Sequence, residues 1–158
     1  MSLHRFHEAQ SSRSAGYDTA LTEIRRGRKT SHWIWYVFPQ LAGLGRSSAA
    51  RAYAIRDLGE ACAYLHDPLL HARYEEITRA VDDQLARGTS LEYLMGSRID
   101  TLKLVSSLTL FRAATHSLAA EEPAANSLAE LCGTVLSRAA AEGYPACAHT
   151  LALARSSP

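Results

Sequence analysis

The sequence predicts an all-α protein, a compact multihelical single domain spanning residues 1–158, and three observations support this fold class. Signals that start and stop helices recur along the chain, whereas alternating strand patterns bounded by hairpin turns are scarce. A length of 158 residues is sufficient for one domain with a hydrophobic core. A hydrophobic content of 47% and a charged content of 21% are typical of a globular protein. The ends, residues 1–2 and 154–158, are predicted to be flexible.

Two helices are predicted at the start of the chain. The first covers residues 3–10 and is followed by a connection of small polar residues over 11–16. The second begins at Tyr17, carries an apolar stripe on one face and ends at Gly27, where a glycine can adopt the left-handed conformation that closes many helices.

An aromatic segment over 33–38 is predicted to form a short helix. Ser31 is placed to cap its start, and Pro39 ends it. Aromatic and β-branched residues also favour a strand, but no partner strand is evident in the sequence. We therefore predict the helix, with another beginning near Ser48.

The middle of the chain contains three clear helix starts. Asp57 and Asp67 each precede a helical pattern and carry a side chain suited to accept a backbone N–H, and Ser90 begins a shorter helix. A proline at the first helical position strengthens the second start. The three predicted helices extend to His66, to Gly88 and to the region of Gly96.

The last third is predicted to hold a central helix and two others. Asp100 is placed to cap a helix through Phe111 that is too apolar to face mainly water. Pro123 announces a helix through Ala141, and a glycine and a proline within 143–145 separate it from a small C-terminal helix.

Charge and composition narrow the possible environments and partners. The formal net charge of +1 argues against nucleic acid, although a basic cluster lies at 25–29. No apolar run resembles a signal peptide or a membrane span, so the predicted location is cytoplasmic. Three cysteines do not suggest a disulfide framework. The sequence indicates no cofactor and leaves the oligomeric state open.

The aromatic segment also contains candidate binding residues. Trp33 and Trp35 can stack on a flat ligand, and the adjacent His32 can carry a proton or face a phosphate. Gln40 can read an amide or the edge of a base. The alternatives are a histidine and two tryptophans packed in the core, and a glutamine that closes a turn.

Candidate phosphate-binding residues flank the aromatic segment. Gly43, Gly45 and Ser47 can expose backbone amides before a helix, although this is neither a Walker loop nor a dinucleotide fingerprint. Lys29, beside Arg28, can add positive charge. The alternative for these two cations is a solvated helix end.

A second cluster of polar residues begins the predicted central helix. Spacings of three and four residues place Asp100, Lys103 and Ser107 near one helical face, with Ser106 beside them. The carboxylate can activate water or stabilise positive charge at an anomeric carbon, and the other groups can hold phosphate or ribose oxygens. The alternative is structural: an N-cap, a solvated lysine and serines bonded within the helix.

Two motifs carry a family resemblance. The segments S-H-W-x-W-x-x-F-P-Q-x-x-G-L-G-x-S over 31–47 and D-x-x-K-L-x-S-S-x-T-L-F over 100–111 resemble those of the domain of unknown function family 1810. The resemblance extends over about 3–153 and is weaker over the alanine-rich 115–145. It implies a compact multihelical fold and no settled activity.

These residues support two functional hypotheses. The first is hydrolysis of an N-glycosidic bond in a phosphorylated ribonucleoside or an ADP-ribose-like ligand, by broad analogy with N-glycosidases of similar size and helical character. Its catalytic residues are Asp100 and His32, and its binding residues are Lys29, Trp33, Trp35, Gln40, Gly43, Gly45, Ser47, Lys103, Ser106 and Ser107. The second is a non-enzymatic module that binds a metabolite or a protein through the tryptophan surface. No metal site is predicted, because Cys62, His66 and His71 lack a clear remaining ligand.

Overall fold

The computed structural model describes the backbone of residues 3–156 and the side chains of 3–153. Of the ends predicted to be flexible, 1–2 and 157–158 lie outside this range, and the backbone of 154–156 is helical. The helices within it are α1 (His4–Gln10), α2 (Tyr17–Arg26), α3 (Ile34–Val37), α4 (Ser48–Ala52), α5 (Leu58–His66), α6 (Pro68–Ala86), α7 (Leu91–Met95), α8 (Arg98–Leu118), α9 (Ala124–Ala141) and α10 (Ala148–Ser156).

The predicted all-α fold class is confirmed. Residues 3–156 contain no β-sheet, and their only strand-like pairing is an isolated parallel bridge between Leu41 and Ile55. No helix in this range is long and apolar enough to cross a membrane.

Helix α8 lies at the centre of the fold and packs against α5, α7, α9 and α10. Aromatic rings from other elements surround its middle. The ring of Phe111 lies 4.5 Å from that of Tyr74 and 5.1 Å from that of Tyr64, and Phe38 stands edge-on to Tyr74 at 5.5 Å. This buried aromatic cluster fixes α8 relative to α5, α6 and the segment after α3.

Most predicted helix starts are confirmed by their capping contacts. The side chains of Asp57, Asp67 and Ser90 each accept a hydrogen bond from a backbone N–H in the first turn of the helix that follows. Gly27 ends α2 with a φ of +99°, in the left-handed region. The aromatic segment forms the short helix α3 rather than a strand.

Two capping predictions were wrong. Ser31 does not cap α3, whose N-cap is Trp33, and its hydroxyl donates to a carboxylate oxygen of Glu23. Asp100 lies in the first turn of α8, whose N-cap is Ser97; the Ser97 hydroxyl accepts the Asp100 backbone N–H at 3.1 Å. Helix α8 also continues past Phe111 to Leu118, because no proline or glycine interrupts it and its inner face remains apolar.

Candidate functional site

Glu23 of α2 organises the loop that leads into the aromatic segment. Its carboxylate accepts hydrogen bonds from the backbone N–H groups of Thr30 and Ser31 at 2.7 and 2.9 Å, and from the indole Nε1 of Trp33 at 3.0 Å. Burial alone would raise the pKa of Glu23, but these bonds and that of the Ser31 hydroxyl outweigh it and lower the pKa to about 2. An ionised carboxylate therefore holds this loop in place.

The same loop presents Lys29 to α8. The Lys29 ammonium donates to the backbone carbonyl of Ser31 at 2.7 Å, pairs with Asp100 Oδ2 at 2.7 Å and lies 5.0 Å from the Trp33 ring centre. Its backbone N–H donates to the Leu94 carbonyl at 2.7 Å. Lys29 is buried and has its charge satisfied inside the protein.

Asp100 is held between two ammonium groups. Lys29 binds one carboxylate oxygen, and Lys103 approaches the other, Oδ1, at 3.3 Å. Burial opposes ionisation, but the hydrogen bonds and charges of the two lysines outweigh it and lower the pKa of Asp100. Lys103 also lies 4.5 Å from the ring centre of Trp35. We call Lys29, Asp100, Lys103 and Trp35 the Asp100 cluster.

The two tryptophans have different environments. Trp33 is fully buried, and its indole N–H is bound to Glu23, so its ring is part of the core. Trp35 is half-buried and lies against Gly45. A Cβ at Gly45 would come within 2.8 Å of the Trp35 ring and 2.7 Å of the Ala50 Cβ, so only glycine permits this approach.

The segment after α3 contains three further candidate residues, Gln40, Gly43 and Ser47. Gly43 has a φ of +97°, and a Cβ there would lie 3.5 Å from the His149 ring, which places the start of α10 beside this turn. The Gln40 side chain is only 4% exposed, and its Nε2 has no hydrogen-bond partner within the described residues. Ser47 accepts a backbone N–H as the N-cap of α4.

Three other candidate residues lie outside the Asp100 cluster. His32 is exposed, and its backbone carbonyl accepts the Tyr36 hydroxyl at 3.2 Å. Ser107 is buried and hydrogen-bonded to the hydroxyl of Tyr74 at 2.9 Å. Ser106 is buried, and its hydroxyl helps to lower the pKa of Cys147.

The two sequence motifs therefore meet in the folded chain, where Lys103 lies over the ring of Trp35. Lys29, just before the first motif, links the Ser31 carbonyl to Asp100. Within residues 3–156, no group of three or more histidine, cysteine or acidic side chains is arranged to hold a metal ion.

Comparison with known proteins identifies the family. A profile described as "Protein of unknown function (DUF1810)" matches residues 1–139. The chain belongs to the DUF1810 family. The crystal structure at 1.38 Å of the conserved hypothetical protein Rv1873 from Mycobacterium tuberculosis is similar, with a TM-score of 0.77 and 37% identity over 98% of this chain and 97% of that chain. No curated protein matches the sequence. Neither the family description nor the name of the mycobacterial protein specifies a reaction or a ligand.

The environment of Cys147 in this DUF1810 chain was not predicted from the sequence. The Cys147 backbone N–H donates to the Thr109 hydroxyl oxygen at 3.2 Å, and the Thr150 hydroxyl donates to its sulfur at 3.3 Å. Burial opposes ionisation, but hydrogen bonds from Ser106, Thr150 and the backbone of His149 outweigh it and lower the pKa of Cys147. The sequence offered one local indication of this environment: Thr150 follows Cys147 by three residues, a spacing typical of contacts at the start of a helix.

This environment predicts selective alkylation. The pKa of Cys62 is raised by burial, and burial raises that of Cys132 to about 12, so Cys147 should carry the largest thiolate fraction at about pH 7.5. Iodoacetamide followed by peptide mass spectrometry should find Cys147 modified first. Cys62 is the internal control because it is also half-buried. Equal rates at Cys62 and Cys147 would contradict the prediction, and Ser106→Ala should slow the reaction at Cys147.

Proposed function

We propose that this DUF1810 protein binds a phosphorylated ribonucleoside or an ADP-ribose-like molecule at the Asp100 cluster and hydrolyses its N-glycosidic bond. The observation that carries this proposal is an ionised carboxylate, Asp100, held in position by two lysines beside the half-buried ring of Trp35. Glycoside hydrolysis uses a carboxylate of this kind to orient water and to stabilise positive charge at the anomeric carbon.

The cluster supports binding of an anionic ligand. It contains two ammonium groups and one carboxylate, so one positive charge is in excess. The Lys103 side chain is 24% exposed and can reach a phosphate, while the base stacks on Trp35. Lys29 is bound on both sides and is assigned to positioning Asp100 rather than to phosphate. Trp33 is assigned to the core contact with Glu23.

Other candidate residues take subsidiary roles in this proposal. The unpaired amide of Gln40 is buried, so we assign it to the base only if the turn after α3 moves on binding, and Gly45 acts through the position of Trp35. His32 is exposed and available to protonate the leaving base. We leave three serines out of ligand binding because each has another role. Ser47 caps α4, Ser106 acts on Cys147, and Ser107 is hydrogen-bonded to Tyr74.

In the chemical step, the ligand phosphate and the Asp100 carboxylate compete for the Lys103 ammonium. A phosphate on Lys103 weakens its contact with Asp100 Oδ1, which at 3.3 Å is the longer of the two ion pairs, and frees that oxygen to accept a water proton. The water oxygen then bonds to the anomeric carbon. The C–N bond breaks, its electron pair leaves with the base, and the base takes a proton from His32 or solvent.

The test combines a substrate panel with an isosteric variant. Wild-type protein is incubated with NAD, ADP-ribose, nucleotides and ribosylated bases, and released base is measured by liquid chromatography and mass spectrometry. Asp100→Asn should abolish turnover and retain its helical circular dichroism. Asp83→Asn, which neutralises an exposed carboxylate on α6, is the matched control and should remain active. Undiminished turnover in Asp100→Asn would refute the assigned role.

A second candidate function is a non-enzymatic binding module. Both carboxylate oxygens of Asp100 are engaged by lysines, as in a structural ion pair. Large apolar side chains are also exposed on α7 and the first turns of α8, with Ile99 at 66% and Tyr93 and Leu102 less so. Saturable ligand binding by the wild type without loss of any ligand in the panel would favour this function over hydrolysis.

A further inference from the structure

A groove between α8 and α9 forms a second candidate binding site, more than two helical turns beyond Lys103. Its volume is about 950 Å³, and its polar lining includes Arg112, His116, Asn126, Glu130, Ser137 and Arg138. Pockets of about 300–1,000 Å³ are typical of small-molecule sites. None of these residues belongs to the Asp100 cluster.

The exposed guanidinium of Arg112 lies in this groove, and its charge acts on the buried thiol of Cys132. The guanidinium lies 3.6 Å from the position that a Cβ would occupy at Gly133 of α9. The absence of a side chain at Gly133 therefore makes room for the guanidinium. Within residues 3–156, no hydrogen bond or ion pair engages it. Arg138 differs, because its Nε pairs with Asp82 at 3.2 Å.

Neutral polar groups line the same space. His116 lies one helical turn after Arg112, and Asn126 and Ser137 face the groove from α9. Their side chains have no hydrogen-bond partner in the described part of the chain. The lining contains one carboxylate, that of Glu130, and two guanidinium groups, those of Arg112 and Arg138. Because Arg138 is paired with Asp82, Arg112 is the guanidinium of this lining that has no ion-pair partner within residues 3–156, and neutral donors lie around it.

We propose that this groove binds the phosphate group of a phosphorylated small molecule. A free guanidinium can donate two parallel hydrogen bonds to phosphate oxygens, which is the geometry that distinguishes arginine from lysine. Ser137 lies one helical turn after Gly133 on α9, so its hydroxyl can donate to a further oxygen of the same phosphate. This inference is independent of the hydrolysis proposed at the Asp100 cluster.

The test uses inorganic phosphate as the probe. The full chain is titrated with phosphate at constant ionic strength, with sodium chloride as the balancing salt, and backbone amide resonances are followed by NMR. The amides of Gly133 and Thr134 should shift and saturate. Arg112→Gln should weaken this binding at least tenfold, because a charged hydrogen-bonding group is lost.

Two further variants separate the possible outcomes. Arg87→Gln removes an exposed arginine at the end of α6 and should leave the titration unchanged. Lys103→Gln should also leave the Gly133 and Thr134 shifts unchanged, which distinguishes this groove from the Asp100 cluster. Equal binding by wild type and Arg112→Gln, or no saturation in the millimolar range, would overturn the proposal.

Discussion

Replacing Glu23 with alanine should lower the free energy of unfolding by about 3–5 kcal/mol, because buried donors would lose their acceptor. Thr30, Ser31 and Trp33 all donate to this carboxylate, and the Trp33 ring is fully buried. The Trp33 indole N–H lies in a buried hydrogen bond, whereas the N–H groups of Thr30 and Ser31 lie in part-buried ones. Chemical denaturation measures the change, and the melting temperature should fall by several degrees.

Two variants serve as controls for this prediction. Glu23→Gln keeps the shape and one acceptor but loses the charge, and should fall between wild type and Glu23→Ala. Glu121→Ala removes an exposed glutamate between α8 and α9 and should have little effect. If Glu23→Ala were as stable as Glu121→Ala, the carboxylate would not be holding the loop.

The same contacts predict a loss of stability in acid. The pKa of Glu23 is about 2 in the folded chain and 4.5 ordinarily, so its stabilisation is complete above pH 4.5 and is lost as the pH falls toward 2. Each pKa unit corresponds to about 1.4 kcal/mol, so this carboxyl contributes about 3 kcal/mol to the acid transition. The lowered pKa values of Asp67 and Asp100 act in the same direction. Glu23→Gln should flatten this part of the pH profile.

Helix boundaries were predictable where the capping contact is local. Asp57, Asp67 and Ser90 bind backbone N–H groups two or three residues away, so the sequence contains both partners in one window. Ser31 and Asp100 look equally suited to capping, but each has a stronger partner elsewhere. Ser31 binds Glu23 and Asp100 binds Lys29, and neither choice can be inferred from nearby residues.

The candidate site was predictable only in part for the same reason. Motif spacing placed Asp100 and Lys103 on one face of a helix, and the aromatic segment supplied Trp35. Which ring stays accessible depends on long-range packing: Trp33 is bound by Glu23 of α2, while Trp35 lies over Gly45. No pattern around Glu23 announces that its side chain would organise a loop several residues later.

Gly96 connects the fold to the Asp100 cluster, and Gly96→Ala should cost about 2–4 kcal/mol of unfolding free energy. Two effects add. Gly96 ends α7 with a φ of +84°, which an alanine adopts at a cost, and a Cβ there would lie 2.9 Å from the backbone carbonyl oxygen of Lys29. That carbonyl cannot retreat freely, because the Lys29 N–H is bonded to Leu94 at 2.7 Å.

Gly88→Ala is the matched control, since Gly88 has a φ of +99° and nothing lies within 4 Å of its would-be Cβ. It should cost only the conformational part, about 1–2 kcal/mol. Displacing Lys29 in Gly96→Ala should also weaken its ion pair with Asp100, so the pKa of Asp100, followed by carboxyl NMR, should rise toward its usual range. Gly88→Ala should leave it lowered. Equal destabilisation by the two variants, with Asp100 unchanged, would show that the contact between Gly96 and Lys29 does not position the cluster.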